Sequence, residues 1–555
     1  MKQVLVLLLL LAFSIRVSAQ SWAWMKGADG GESEGYYCAV DPSGNVFSAG
    51  VNWDYMSFDT DTLIHPGVVS PFVVKYDSLG NELWARTTTG GSANLLGISA
   101  DAFGNLYMLG AYDSTINISG YILSNSNPQP FQIFIAKYNS SGALIWAKNL
   151  GNVIASNIGQ GCITTDNSGN IYIATTYYHD PALGAYSFAN TDISNTTEDF
   201  LVAKLDSSGI VLWAKSFGGP NEDYATSITV TPSNQIYVCG NFYSTSLTFG
   251  GTTLLNTGTV LNHLAIFLTK LNSSGIPIWS IATGGNSPYN YAFGVASNPA
   301  EDVYMTGWFS IDTLTFGSYH LTTPPYVTHG YLVKYDSSGS ALWVKDMRGE
   351  NMKSWTVAVD PCDNTWIGGS MDTGTNDTID GHILLAPPGS YDPMFLAGWS
   401  SAGTYLQAIS LSSGGEDNNT LAIDKCGNIF VEGDYEHEHP FIVGTHSLIP
   451  SNNFEHNFIA KYNPNIDCTG SCNAVLYSPS YQADQVSIYP NPVNTLLTIT
   501  SAEIISRVTL MNMVGQVITS YQGCAETMKI NLAHLLPGMY YIRINGYDIR
   551  RFVKQ

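Results

Sequence analysis

The sequence predicts an all-β chain: a seven-bladed β-propeller closed by an N-terminal strand, followed by a small β-sandwich. Three observations predict it. A ten-residue turn recurs seven times, four strand-like segments accompany it, and the strand missing from the last copy stands at the start of the chain. The turn reads DPSGNVFSAG from Asp41, DAFGNLYMLG from Asp101, DNSGNIYIAT from Asp166 and TPSNQIYVCG from Thr231. It continues as NPAEDVYMTG from Asn298, DPCDNTWIGG from Asp360 and DKCGNIFVEG from Asp424. Successive copies start 60 to 67 residues apart, a fixed period that signals a repeat architecture.

At 555 residues the chain exceeds one ordinary core. Only 12% of residues are charged, and Gly, Ser, Thr, Asn and aromatics are plentiful, a turn-rich β profile. Forty-four acidic against 22 basic residues give a net charge of −22, which opposes binding to nucleic acid or an anionic membrane. Residues 1–19 read as a signal peptide: Lys2, the apolar run VLVLLLLLAF, and the small-residue site Val17-Ser18-Ala19. The mature chain is expected to begin at Gln20, and no later stretch reads as a transmembrane segment.

Within each repeat, one strand precedes the turn (YYCAV before Asp41) and one follows it (NVFSAG). A third carries a lysine, as in PFVVKYD from Pro71 and FIAKYN from Phe458; a fourth carries a tryptophan, as in LIWAK to Lys148. Such β-branched and aromatic runs between Gly, Asn and Ser turns are strands. The seventh repeat ends at FIAKYNPN without its tryptophan strand. Ser21-Trp22-Ala23-Trp24-Met25-Lys26 supplies it and removes the sheet edges an open array would expose. Repeat six departs from the pattern, with Gly398 in place of the lysine and Gln407 in place of the tryptophan, so local irregularity is expected there. Over residues 20–462 the pattern resembles the seven-bladed propeller repeat family of secreted bacterial proteins, a likeness that speaks to fold and not to activity.

Residues 463–484 form a Pro/Ser/Asn-rich linker, and alternating strands resume over 485–555. The Tyr489-Pro490-Asn491-Pro492 opening, the Met513-Val514-Gly515 turn, Pro537-Gly538-Met539-Tyr540 and the basic tail resemble the C-terminal type A sorting domain of the type IX secretion system. The resemblance implies a protein exported to the medium or the outer cell surface of a Gram-negative bacterium. Its implied partner is the type IX secretion machinery. Tyr489, Pro490, Asn491, Pro492, Gly515, Gly538 and Tyr540 would then serve as a receptor-read address and do no chemistry.

Eight cysteines in 555 residues make no disulfide scaffold; Cys468 and Cys472 form the expected local pair. The repeated lysines (Lys75, Lys137, Lys204, Lys270, Lys334, Lys461) read as structural, either snorkelling along a neighbouring blade or pairing with turn aspartates such as Asp41 and Asp101. A unique function belongs where the repeats diverge, in the long loops after each second strand. There the less periodic Trp53, Tyr178, His179 and Tyr243 are the expected ligand-binding residues, suited to stacking on sugars or anchoring a protein. His437 and His439, in Glu436-His437-Glu438-His439, alternate onto one strand face and are weak metal candidates without a third ligand at recognisable spacing. A solvated loop is the simpler reading, and no cofactor is expected. Neither a Gly-x-Ser-x-Gly elbow nor a Cys/His nucleophile pattern is present, so no catalytic residue is assigned. The sequence reading is therefore a secreted or cell-surface binding module for glycan or protein. The alternative is a propeller hydrolase or lyase acting on polysaccharide through scattered loop carboxylates.

Overall fold

A computed structural model describes residues 21–466 and 486–555, except 66, 126–130, 151–161, 193, 195, 259–262, 374–376, 388–392, 412–419, 436–439, 450–451, 453, 513–516 and 545–547. The signal-peptide segment, Cys468, Cys472, His437, His439 and Gly515 lie outside the described residues. The chain divides into two compact units, Met1–Cys472 and Asn473–Gln555.

Every described element of the first unit is β. Seven antiparallel four-stranded meanders follow one another along the described chain. The first comprises Ser33–Val40, Val46–Asn52, Ser70–Tyr76 and Glu82–Gly90. In the last, Thr420–Ile423, Ile429–Tyr435 and His456–Asn463 are completed by Ser21–Gly27, which runs antiparallel to His456–Asn463 with Met25 opposite Ala460. The first strands converge on a cavity of about 150 Å³, where Tyr37, Ile98, Ile163, Ile228, Val295, Val357 and Leu421 represent all seven sheets.

The recurrent turn is built by its aspartate. Asp41 Oδ1 accepts the N–H groups of Ser43 and Asn45 while Oδ2 accepts the Asn45 amide, and Gly44 takes φ +80°. The same bonds form at Asp101, Asp166, Asp360 and Asp424. Each lysine reaches such a turn: Lys75 lies 2.8 Å from Asp41, and Lys334 lies 2.9 Å from Asp302. Lys75 and Asp41 are almost fully buried, and the ammonium also sits 4.6 Å over the Phe47 ring. Fastening between neighbours is equally regular. Trp84 and Lys75 of the first sheet both donate to the Ser140 carbonyl of the second, at 3.2 Å each.

Repeat six keeps its ladder, with Gly398 paired to Gln407 and the register shift seen in the other sheets. The irregularity expected there is absorbed by side chains. Trp366 fills the space left by the missing lysine: a Cβ on Gly398 would meet its ring at 2.6 Å. Its indole N–H donates to Asp360 Oδ2 at 3.1 Å, where other repeats use an ammonium. Gln407 donates to the Tyr462 hydroxyl at 2.9 Å.

The loops after the second strands, read from sequence as dissimilar, share a device. Each holds a short hairpin: Thr115–Ile118 with Tyr121–Ser124, Ser246–Phe249 with Thr252–Leu255, and Thr313–Phe316 with Tyr319–Thr322 are the longest. The first of these pairs with Glu82–Gly90 and so covers an outer edge of the preceding sheet. Among the described cysteines, Cys362 and Cys426 are disulfide-bonded, whereas Cys38, Cys162 and Cys239 form no disulfide.

The second unit is a five-stranded antiparallel sheet around Val493, Leu497, Val508, Leu510, Ile530, Ile542 and Phe552. Asn491 fastens its last strand by donating to the Arg551 carbonyl at 3.2 Å and accepting the Val553 N–H at 2.9 Å. Tyr540 stacks on Phe552 and donates to the Leu536 carbonyl at 3.0 Å, while Tyr489 is half exposed. A Cβ on Gly538 would meet only an ordinary contact with the Tyr540 ring, so packing leaves room for a side chain there.

Candidate functional site

The third and fourth sheets meet at a polar cavity of about 480 Å³, lined by Thr197, Asn221, Glu222, Tyr243 and His263. Thr197 ends the long loop of the third sheet, Asn221 and Glu222 lie between Val211–Phe217 and Asp223–Val230, and Tyr243 and His263 bracket the long loop of the fourth. The backbone joins these segments: Asp223 N–H donates to the Glu198 carbonyl at 2.7 Å, and Tyr243 N–H to the Glu222 carbonyl at 2.9 Å. A size of several hundred Å³ suits a small ligand or one unit of a polymer.

Carboxylates and phenols alternate at this junction. Tyr224 donates to Glu222 Oε2 at 2.7 Å, and its ring meets that of Tyr243 edge to face at 6.4 Å. Tyr178 donates to Glu198, and the Tyr224 phenol lies beside it. Burial pushes the Glu198 carboxyl up to about 7, the phenols oppose that shift and the Glu222 charge adds to it. Glu198 is 1% exposed, and its Oε1 has no hydrogen-bond partner among the described residues. Behind it, burial raises Asp223 to about 8, against the Ser244 hydroxyl that donates to it at 2.8 Å. Burial also raises Asp199, against the Thr191 N–H at 2.7 Å. The Tyr243 hydroxyl is pushed up to about 12 by burial and by the charge and hydrogen bond of its neighbours.

From the cavity a run of aromatic rings extends to the cavity at the first strands. Tyr243 donates to the Tyr291 hydroxyl. Tyr291 lies 4.5 Å from Trp308, and Phe293 4.6 Å from Trp355, ring centre to ring centre. Lys353 holds its ammonium over both indoles, at 5.6 and 5.5 Å. Phe293 and Trp355 also line the central cavity.

Two of the four residues singled out from sequence, Tyr178 and Tyr243, contribute to this junction. His179 is exposed beside Tyr178 with φ +59°, and its ring lies 6.5 Å from the tyrosine ring. Trp53 belongs to another sheet, where it is partly buried against the core around Phe47 and Val51. Sequence reasoning missed Glu198, Glu222, Tyr224 and Tyr291. A signal was present in the parallel strings Thr197-Glu198-Asp199-Phe200 and Asn221-Glu222-Asp223-Tyr224, which occur in only two repeats. Among the described residues, no group of three or more His, Cys, Asp and Glu side chains could hold a metal ion, and no helix is long and apolar enough to cross a membrane.

Comparison with known proteins places one segment. Residues 487–555 match the family described as the secretion system C-terminal sorting domain. Over 427 residues, 65% of this chain, the protein is 24% identical to an uncharacterized WD repeat-containing protein of Acanthamoeba polyphaga mimivirus, of which it covers 30%. Over 69 residues it is 35% identical to β-agarase A of Zobellia galactanivorans, covering 12% of this chain and 13% of the agarase. The chain thus spans under a third of the length of these relatives. Among solved structures it is similar to PorZ, a bacterial surface component of the type-IX secretion system of Porphyromonas gingivalis, at 11% identity and TM-score 0.27, covering 93% of this chain and 74% of that one. It is also similar to rhamnogalacturonan lyase YesW at 10% identity and TM-score 0.28, covering 72% and 78%.

Proposed function

We propose that this chain, whose residues 487–555 match the secretion system C-terminal sorting domain, is a type IX-secreted protein of the cell surface or extracellular space. We propose that its seven sheets are the blades of a closed propeller over residues 20–462, behind a signal peptide at 1–19 and ahead of a linker at 463–484 and the sorting domain at 485–555. We propose further that the propeller is a non-catalytic binding module whose ligand is a glycan, held where the third and fourth sheets meet, with Tyr178 and Tyr243 among its binding residues. The ring reading is supported by the shared cavity at the first strands and by the pairing of Ser21–Gly27 with His456–Asn463.

One observation carries the binding reading: the cavity offers a hydroxyl, an amide, an imidazole, a carboxylate and a phenol at Thr197, Asn221, His263, Glu222 and Tyr243, beside a run of half-buried aromatic rings. Sugars present hydroxyls along their edges and C–H faces that stack on such rings. Of the two glutamates, only Glu222 lines the cavity; Glu198 is buried behind Tyr178 and Tyr224. A hydrolase needs both carboxylates on the scissile bond.

A hydrolase or lyase is the second reading, favoured by the raised Glu198 carboxyl beside Glu222, two acids pushed apart by environment. The test exposes the mature protein to a panel of polysaccharides and reads binding and released reducing ends separately. Saturable binding without product supports the module. Product that disappears in Glu222→Gln supports the enzyme.

A further inference from the structure

Resting on the glycan reading, the charge balance of the cavity narrows the ligand class. Apart from His263, the described lining residues include no base, and none is Lys or Arg. Against that stands the Glu222 carboxylate in the wall. Tyr224 and Tyr243 present an edge-to-face pair beside the Glu222 carboxylate, a combination that favours a cation twice, by charge and by ring quadrupole. Glu198 Oε1 is buried without a hydrogen-bond partner in the field of Glu222.

We propose that the cavity takes the free ammonium group of an amino sugar, so that the ligand is a glycan with unsubstituted amines. An ammonium placed against Glu222 keeps its three donors satisfied by the carboxylate, the Asn221 carbonyl group and the Thr197 hydroxyl. An N-acetyl group carries no charge, and a uronate is repelled by Glu222. The C–H faces of the adjoining sugar units then meet the Tyr291 and Trp308 rings. A lysine side chain offers the same ammonium, but a peptide brings no saturated ring face to that surface.

The full mature protein is titrated by calorimetry at pH 6 with β-1,4-linked glucosamine oligomers, the N-acetylated oligomers of equal length, oligogalacturonate and a lysine-rich peptide. The amine oligomer is expected to bind at least about tenfold tighter than its acetylated form, about 1.4 kcal/mol, and to weaken as salt is raised. Glu222→Gln should abolish that preference at unchanged melting temperature, and Tyr243→Phe should retain it. Equal or tighter binding of the acetylated oligomer or of oligogalacturonate overturns the inference and leaves the glycan reading standing. So does a preference that survives Glu222→Gln. Binding of the peptide alone, or of no saccharide of any charge, overturns both.

Discussion

Trp24 and Ser78 are joined by a 3.2 Å hydrogen bond from the indole N–H to the carbonyl oxygen, linking the strand that completes the seventh sheet to the first. Lys461 donates to the same oxygen at 3.0 Å. The identical tryptophan–serine bond joins the first sheet to the second, the second to the third, and so on to Trp343 and Ser401. The junction between the seventh sheet and the first is therefore built like those that join the first six sheets in order.

Deleting residues 21–27 should expose the edge of His456–Asn463 and remove that junction. The expected outcome is oligomer formation and early thermal unfolding, read by size-exclusion chromatography and calorimetry. Trp24→Ala alone should cost about 3–5 kcal/mol, measured by denaturant unfolding, because a buried indole and its hydrogen bond go together.

Lys75→Ala should destabilise by about 3–5 kcal/mol, since it strands the buried Asp41 carboxylate. Lys75→Met with Asp41→Asn should recover much of the loss in the same unfolding measurement. The Asn carbonyl can still accept the Ser43 and Asn45 N–H groups.

Stability should fall as pH rises through neutrality. Glu198 and Asp223 hold protons in the folded state up to about 7 and about 8, whereas the unfolded carboxyls release theirs near the ordinary 4.5 and 3.8. Between those limits the folded state binds more protons, so each unit of pH costs stability, and the cost levels off above the folded values. Melting temperature is expected to drop between pH 5 and pH 8. Glu198→Gln and Asp223→Asn should flatten that slope and raise the melting temperature at pH 8 by about 2 °C or more.

Most of the architecture was legible because its causes are local and repeated. The Asp-x-x-Gly-Asn turn, the lysine strand and the tryptophan strand each announce themselves within ten residues, and the same residues then make the seams. The substitution of Trp366 for an ammonium was hidden, since it depends on Gly398 lying opposite it in space. The hairpins in the long loops were overlooked although Thr313-Leu314-Thr315-Phe316-Gly317 and Ser246-Leu247-Thr248-Phe249-Gly250 share a pattern. At the site, phenols were visible and carboxylates were not. Glu198 and Glu222 are two among 44 acids until the bond from Asp223 to the Glu198 carbonyl brings their segments together. Trp53 breaks the period, yet it packs on its own sheet's core. Trp53→Ala should therefore lower stability and leave ligand affinity unchanged, read by calorimetry and titration on the same sample.

The most direct test of the proposed site is the affinity of Tyr243→Ala, relative to the natural protein, for the polysaccharide found to bind it. A loss of about tenfold or more, with the melting temperature held within about 2 °C, is the expected result. Equal affinity in the two proteins would contradict the assignment of ligand binding to the junction of the third and fourth sheets.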